Sequence, residues 1–326
     1  MRYRTLGNSD LVCSVVGIGT WGLSGMGWEG SHRSSDEQSI ATIREAVDAG
    51  ITLIDTALTY GAGHAEELVG EATEDIRDRV VIATKCVADR LEDQGLIKDW
   101  RPDTLKAQLE KSLRRLRTDW IDLYQVHWPD PDPSHPLKDA FRQLARFVEE
   151  GSVRYVGVSN FDAALIEEAS AYCPITSVQP GYSLLNRGCE KELLPYCEAH
   201  NIGVLSYGSL GGGILTGKYT QRPEFRTVDG AADPRNAFYP YYSEKAWPHT
   251  SHLIEEMRAI ADKNGCRVVD VAVSWVLAQQ AMSVALVGCR TQEQARKNAA
   301  AGDYVLSEED TARLTKISDE VLEAIG

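Results

Sequence analysis

Four residues of this chain carry groups that work together in proton transfer: the Asp55 carboxylate, the Tyr60 phenol, the Lys85 ammonium and the His127 imidazole. Asp55 closes the apolar run Thr52-Leu53-Ile54, and Tyr60 follows it across Thr56-Ala57-Leu58-Thr59. Lys85 closes Val80-Val81-Ile82-Ala83-Thr84, and His127 closes Ile121-Asp122-Leu123-Tyr124-Gln125-Val126. Hydride addition to a carbonyl builds negative charge on oxygen, so a donor must supply a proton as that charge develops. A free phenol, with a pKa of about 10, holds its proton too tightly near neutrality. A neighbouring ammonium favours the phenolate and lowers that value. Asp55 is expected to pair with Lys85, keeping it charged and aimed. Two roles are open to His127, orienting the substrate oxygen by a hydrogen bond or helping to relay the proton.

Each of these residues alone has a plainer explanation. An Asp at a strand end is often a turn residue, a buried His is often only hydrogen-bonded, and a strand-end Lys can simply reach solvent. Their common register at strand C-terminal ends is what joins them, because in barrel folds that rim is the catalytic face.

The elements that must build such a rim follow an alternation of short β-rich runs and longer helical ones. After an N-terminal segment, Tyr3 to Val12, read as a hairpin closing a barrel floor, Val15-Val16-Gly17-Ile18-Gly19 forms the first strand. Further strands are expected at 52–55, 80–85, 121–127, 155–159, 176–179, 203–207 and 283–288. Several are nearly all apolar, as strands buried on both faces should be. Between them lie helical patterns. Ile40, Ile43 and Val47 share one face of a segment opened by the capping pair Ser35 and Gln38 and stopped by Gly50. Leu105, Leu109, Leu113 and Leu116 repeat likewise, as do Leu137 to Val148 before Gly151. Eight such repeats predict a (β/α)8 barrel, one domain over residues 1–326. An open doubly wound sheet would want a Gly-x-Gly-x-x-Gly turn after an early strand, and the early segments lack one. Residues 211 to 250 form a long loop after strand seven, helices at 250–264 and 268–280 complete that crossover, and Ser307-Glu308-Glu309-Asp310 starts an extra C-terminal helix.

The formal net charge of −14 argues against nucleic-acid binding, which wants a clustered positive surface. There is no apolar N-terminal core of a signal peptide and no run long enough to span a bilayer, so no membrane role is expected. The seven cysteines are scattered, odd in number and without zinc-ligand spacing, which points to a reducing, cytoplasmic setting and no metal.

Placed in order, Asp55, Tyr60, Lys85 and His127 resemble the catalytic tetrad of the aldo-keto reductases, and the resemblance runs along nearly the whole chain. It implies Tyr60 as general acid/base, and a nicotinamide dinucleotide held across the barrel mouth without a Rossmann fingerprint. Ser159, Asn160 and Gln179 match the trio that holds the carboxamide, and Tyr207 the aromatic that stacks on the nicotinamide ring. Gly208, Ser209, Leu210 and Gly212, where many members carry Ser-Pro-Leu at the first three, match the pyrophosphate turn, with Lys218 and Arg235 as cationic partners. Gly288, Cys289, Arg290, Gln294 and Asn298 lie in the segment that wraps the adenosine and its 2′-phosphate. Gln294 stands where many NADP-specific members have an arginine, and Lys297 where many have a glutamate. NADP(H) is therefore expected to be preferred, with NAD(H) usable. Trp21, bordering both cofactor and substrate, and Trp128 match aromatic pocket positions, with Trp28 and the cluster Phe238, Tyr239, Tyr241 and Tyr242 as additions to the mouth.

The implied substrate is a small carbonyl compound, an aldehyde, ketone or sugar; the segment from Asp55 to Glu66 is most similar to bacterial sugar- and inositol-pathway members. Oligomerisation is left open. Two other functions compete: a Schiff-base aldolase using Lys85 as nucleophile, and a non-catalytic dinucleotide-sensing subunit. A nucleophilic lysine wants a lowered pKa, which a paired Asp55 opposes.

Overall fold

The computed structural model describes residues 1–24, 34–91, 95–130, 132–223 and 239–325, with the side chains of 88–97 outside that description. Eight parallel strands close into a barrel: β1 (Val16–Gly19), β2 (Leu53–Asp55), β3 (Val81–Cys86), β4 (Ile121–Val126), β5 (Val153–Ser159), β6 (Ser177–Gln179), β7 (Gly203–Ser206) and β8 (Met282–Gly288). Each strand pairs with its sequence neighbours, and β8 returns to β1 through Gly288 beside Gly19. The helices lie outside: α1 (Asp36–Asp48), α2 (His64–Thr73), α3 (Pro102–Leu116), α4 (Leu137–Glu149), α5 (Ala163–Ser170), α6 (Leu193–Ala199), α7 (Trp247–Asn264), α8 (Val268–Leu277), α9 (Gln292–Ala301) and α10 (Glu308–Ile325). The (β/α)8 expectation holds. All eight expected strands are present, each with its ends shifted by no more than a residue or two.

Alternation along the strands sorts the interior into layers, because side chains two apart face the same way. Leu53, Val81, Ala83, Leu123, Tyr155, Leu205, Val284 and Leu286 point into the barrel and fill its lower half. The hairpin Tyr3–Thr5 with Val12–Ser14 plugs the floor, adding Leu6, Leu11 and Cys13 to that cluster. At its turn, Gly7 has a φ of 52°, and a side chain there would run into the Thr176 carbonyl at 2.3 Å and the Gly203 nitrogen at 2.5 Å. The hairpin is thus wedged against the starts of β6 and β7. Towards the upper ends of five of the strands, β2 to β6, buried polar residues follow: Asp55, Lys85, Gln125, Ser159 and Gln179. The apolar lower half is the dry support on which this polar layer rests.

Helix ends follow the sequence signals. Ser35 accepts from the Gln38 backbone at 3.3 Å while Gln38 returns a bond at 3.2 Å, the expected capping box. Ser307 accepts from the Asp310 backbone at 3.1 Å and opens α10, which packs on α7. Helix α7 begins at Trp247, three residues before its expected start. A two-stranded hairpin, Ala88–Leu91 with Gly95–Lys98, rises from the end of β3 and was not anticipated.

Candidate active site

Lys85 organises the polar layer. Its Nζ donates to Asp55 Oδ1 at 2.7 Å, to the Thr56 carbonyl at 2.9 Å and to Tyr60 Oη at 3.2 Å. That uses all three ammonium hydrogens. Neighbouring strands set the reach: Asp55 and Lys85 end β2 and β3, and the Tyr60 loop folds back over them. The other Asp55 oxygen accepts from Gln179 Nε2 at 2.8 Å and Gln125 Nε2 at 3.4 Å, and Gln179 also donates to Gln125 Oε1 at 3.3 Å. The structure therefore brings the expected Asp55–Lys85–Tyr60 chain together and adds two buried amides beneath it. Gln125 was missed. It sits two residues before His127 in an apolar strand, so its polar type at an inward position was the available signal.

Tyr60 is held by an unusual loop. Gly61, Ala62 and Gly63 take φ values of 61°, 55° and 99°, three successive left-handed residues. Ala62, as a non-glycine there, marks stored strain. The Arg115 guanidinium of α3 anchors the turn, donating to the Ala62 carbonyl at 3.3 Å and to the wholly buried Glu66 at 3.3 Å. Glu66 also accepts from Thr84 at 2.7 Å, on the residue before Lys85.

Burial pushes the Tyr60 phenol above its ordinary value, opposed by the pull of Lys85. The sign expected of the lysine is present, but desolvation and the Asp55 charge outweigh it; the net shift is upward, not downward. Lys85 stays charged: burial works against its ammonium, but Asp55 and Tyr60 more than offset it and raise its pKa. His127 is neutral, pushed well below the usual imidazole range by burial and by the charges of Lys85 and Lys98. Its Nδ1 is buried with no hydrogen-bond partner among the described residues. A dry N–H costs more than a dry lone pair, which assigns the single proton to Nε2, the ring nitrogen not walled in. The His127 and Tyr60 rings meet edge to face at 6.0 Å between centroids. Tyr60 and His127 are thus two neutral donors on neighbouring rings at the rim.

On the far side of the rim, Asn160 ties three strand exits together from a left-handed backbone, φ 60°. Its Nδ2 donates to the His127 carbonyl at 2.9 Å and to Ser159 Oγ at 3.1 Å, and its Oδ1 accepts from Tyr207 Oη at 3.0 Å. Ser159 donates to the Gln179 carbonyl at 2.8 Å. The capacity left over is accepting, at Asn160 Oδ1 and Gln179 Oε1, which suits the amide hydrogens of a carboxamide. Tyr207 is 39% exposed, a large ring left open at a barrel rim. These features fit a nicotinamide.

The remaining cofactor positions divide. Gly208, φ 67°, has nothing within 4 Å of where a side chain would point, and Gly19 beside Gly288 leaves a similar gap between β1 and β8. Gly212 is instead roofed by the Tyr239 ring, 2.4 Å from the position of a missing Cβ, so its glycine serves packing. The Ser209 hydroxyl turns inward to Ser206 Oγ at 2.9 Å, and Leu210 packs on the core. The Lys218 ammonium lies over the Tyr219 ring, 4.8 Å from its centroid. Cys289 is buried, its thiol pushed up to about 12, and Asn298 braces the Gly288 carbonyl at 3.2 Å. Gln294 accepts from the Arg290 backbone at 2.8 Å. Arg296 and Lys297 are committed to Glu45 at 3.0 Å and Glu293 at 2.5 Å, whereas the Arg290 guanidinium has no carboxylate partner among the described residues. Arg235, Trp28 and Phe238 lie outside the described residues.

Trp21 opens a short turn after β1, and Trp128 stands 6.3 Å from the His127 ring, centroid to centroid. Tyr241 and Tyr242 are buried in the short turn before α7. A cleft of about 580 Å³ between α2 and α3 is lined by His64, Glu67, Lys111, Arg114 and Arg117 on the outer wall, and none of the four rim residues reaches it.

An eight-stranded barrel with this rim defines an oxidoreductase of carbonyl groups, and the comparisons agree. The chain belongs to the aldo/keto reductase family, whose model matches residues 15–319. It is similar to the NADH-specific methylglyoxal reductase of Escherichia coli, at 32% identity over 98% of this chain and 99% of that one. The solved glycerol dehydrogenase of Gluconobacter oxydans superposes with a TM-score of 0.85 at 33% identity, covering 97% and 94% of the two chains. A Klebsiella pneumoniae aldo/keto reductase solved with NADP and acetate gives 0.71 at 29% identity, covering 95% and 93%.

Proposed function

We propose that this protein interconverts a small carbonyl compound and its alcohol, with Tyr60 as the general acid and base. The observation that carries the reading is the Lys85 ammonium bonded at once to Asp55 Oδ1 at 2.7 Å and Tyr60 Oη at 3.2 Å. A bound nicotinamide dinucleotide supplies the hydride. Tyr60 gives its proton to the carbonyl oxygen as the charge forms, and Lys85 stabilises the phenolate left behind. His127 Nε2 orients the same oxygen without changing its own charge. In the reverse direction the phenolate takes the alcohol proton.

Ser159, Asn160 and Gln179 would hold the carboxamide, Tyr207 would face the nicotinamide ring, and Arg290 would take the 2′-phosphate. NADP(H) is therefore preferred with NAD(H) usable; the NADH-specific and the NADP-bound relatives support a family that takes both. The names of relatives acting on methylglyoxal and glycerol support a small polar substrate, with sugars among the candidates. One barrel domain over the whole chain and a cytoplasmic setting belong to the same reading; the cysteines are all free, and no described helix is long and apolar enough to cross a membrane. The raised Lys85 pKa weighs against a Schiff-base nucleophile.

Tyr60→Phe tests the reading. Carbonyl reduction is expected to fall by at least about a hundredfold while dinucleotide affinity changes little, because only the proton is lost. Wild-type turnover in that variant would remove Tyr60 from the mechanism, and a loaded protein inert toward every carbonyl and alcohol would favour the sensing role.

A further inference from the structure

Resting on the carbonyl-reductase reading, we infer that Lys98 is a specificity-determining cation at the substrate mouth, and that preferred substrates carry an anionic group, carboxylate or phosphate, a short chain away from the carbonyl.

The placement comes from the unexpected hairpin after β3. Its base is closed by the Asp99 backbone donating to the Val87 carbonyl at 3.1 Å, two residues beyond Lys85, and Lys98 pairs with Ala88 one step higher. Next door, the His127 backbone donates to the Cys86 carbonyl at 3.1 Å, so Trp128 leaves β4 at the same height. Lys98 and Trp128 therefore stand together just above the rim, at the exits of β3 and β4 on the His127 side. The Lys98 Nζ lies 4.8 Å from the centre of the Trp128 ring. It has no carboxylate partner among the described residues, although acids are close by. Asp99 is taken by Arg101 at 2.6 Å and Thr104 at 2.9 Å. Asp130 is taken by His135 at 2.8 Å and the Trp100 backbone at 3.2 Å. Trp128 offers only a π face, which orients a cation and leaves its hydrogen-bond donors free.

The charge of Lys98 reaches the reacting centre, where it helps keep His127 neutral. Lys85 cannot serve an anionic substrate, since its three hydrogens are spent on Asp55, Thr56 and Tyr60. Among the described residues at the exits of β1 to β4, Lys98 is the cation left to do so. On a protein of net charge −14, a local cation is needed to hold an anion at the mouth.

The experiment compares matched pairs differing by one anionic group: succinic semialdehyde with butyraldehyde, and glyceraldehyde 3-phosphate with glyceraldehyde, each with both nicotinamide dinucleotides. The expected result is a kcat/KM at least about tenfold higher for the anionic member of one pair, narrowing with added salt. The pair that shows it identifies carboxylate or phosphate. Lys98→Met should bring that ratio towards one, with Lys98→Arg restoring much of it and Lys98→Glu inverting it. Equal kcat/KM within both pairs, or a preference that survives Lys98→Met, overturns the inference and leaves the reductase reading standing. Turnover on none of the four aldehydes, with other carbonyls still reduced, overturns the inference and leaves the reductase reading standing; a loaded protein inert toward every carbonyl and alcohol removes both.

Discussion

The Lys85 ammonium touches the Tyr60 hydroxyl at 3.2 Å and lies 4.9 Å from the centre of the same ring. One cation is thus set to favour the phenolate while burial and the Asp55 charge resist it. With burial prevailing, the phenol keeps its proton into the alkaline range, so the proton is present to be transferred while Lys85 eases its departure.

That balance predicts opposite pH behaviour for the two directions. Carbonyl reduction needs the protonated phenol and should be level from neutrality to about pH 10, the ordinary phenol value. Alcohol oxidation needs the phenolate and should climb with pH across that span. Removing the lysine in Lys85→Met takes away the downward pull, so the rising limb of oxidation should move to still higher pH and reduction should fall by at least about a hundredfold. Initial rates in both directions across pH check this, and a Lys85→Met profile superposing on the wild type contradicts it.

His127 yields a stability prediction with a definite sign. Its folded pKa is held below the ordinary 6.5, so the folded state resists a proton that the unfolded chain accepts. Its contribution is complete above about pH 6.5 and is lost as pH falls from there towards the folded value. His64 and His135 are shifted upward and act in the other sense, so the comparison must be internal. From about pH 7 to pH 5, the wild type should lose stability relative to His127→Gln, by up to about 1.4 kcal/mol per pH unit. Urea melts of the two proteins across that range measure it; parallel stabilities would mean that His127 titrates normally.

Arg115 should matter to Tyr60 without touching it. Its guanidinium holds the Ala62 carbonyl at 3.3 Å within the three left-handed residues that follow the tyrosine. Arg115→Ala frees that turn and leaves Glu66 buried without its cation, a change that costs about 3–5 kcal/mol in typical buried pairs. A fall of about tenfold in kcat is expected, with dinucleotide affinity nearly kept and Arg115→Lys recovering part of the loss. Calorimetry separates the two effects: full activity in a merely less stable Arg115→Ala would confine the residue to packing.

The barrel was legible because each inward or outward choice is written twice along a strand. Leu53 and Asp55, or Leu123, Gln125 and His127, show an apolar residue low in the barrel and a polar one at the rim. The capping pair Ser35 and Gln38 announced α1 in the same local way. What stayed hidden depends on closure. The Gln179 amide meets Asp55 across 124 positions of sequence, a contact that exists only once β2 and β6 face each other through the barrel. The hairpin ending at Lys98 lacks the apolar alternation of a buried strand, and its pairing follows from its anchor at Val87. Gly212 looked like a phosphate contact because glycine permits close approach, but what approaches it is the Tyr239 ring.

The cofactor preference rests on Arg290, the cation of the last loop that has no carboxylate partner among the described residues. Arg296 and Lys297, the other basic residues there, are bound to Glu45 and Glu293, and Gln294 carries no charge. The Arg290 backbone is fixed by Gln294 at 2.8 Å, and its Nε passes within 3.9 Å of the open side of Gly22, which places the guanidinium at the mouth between β8 and the turn after β1. A charge-assisted pairing with a 2′-phosphate is worth about 1.5–3 kcal/mol, or roughly a tenfold to hundredfold preference for NADP(H). Arg290→Ala should weaken NADP(H) by that factor while barely changing NAD(H), as read by fluorescence titration of the two reduced forms. Equal weakening of both would move Arg290 to the adenosine or pyrophosphate that they share and leave the preference without a source.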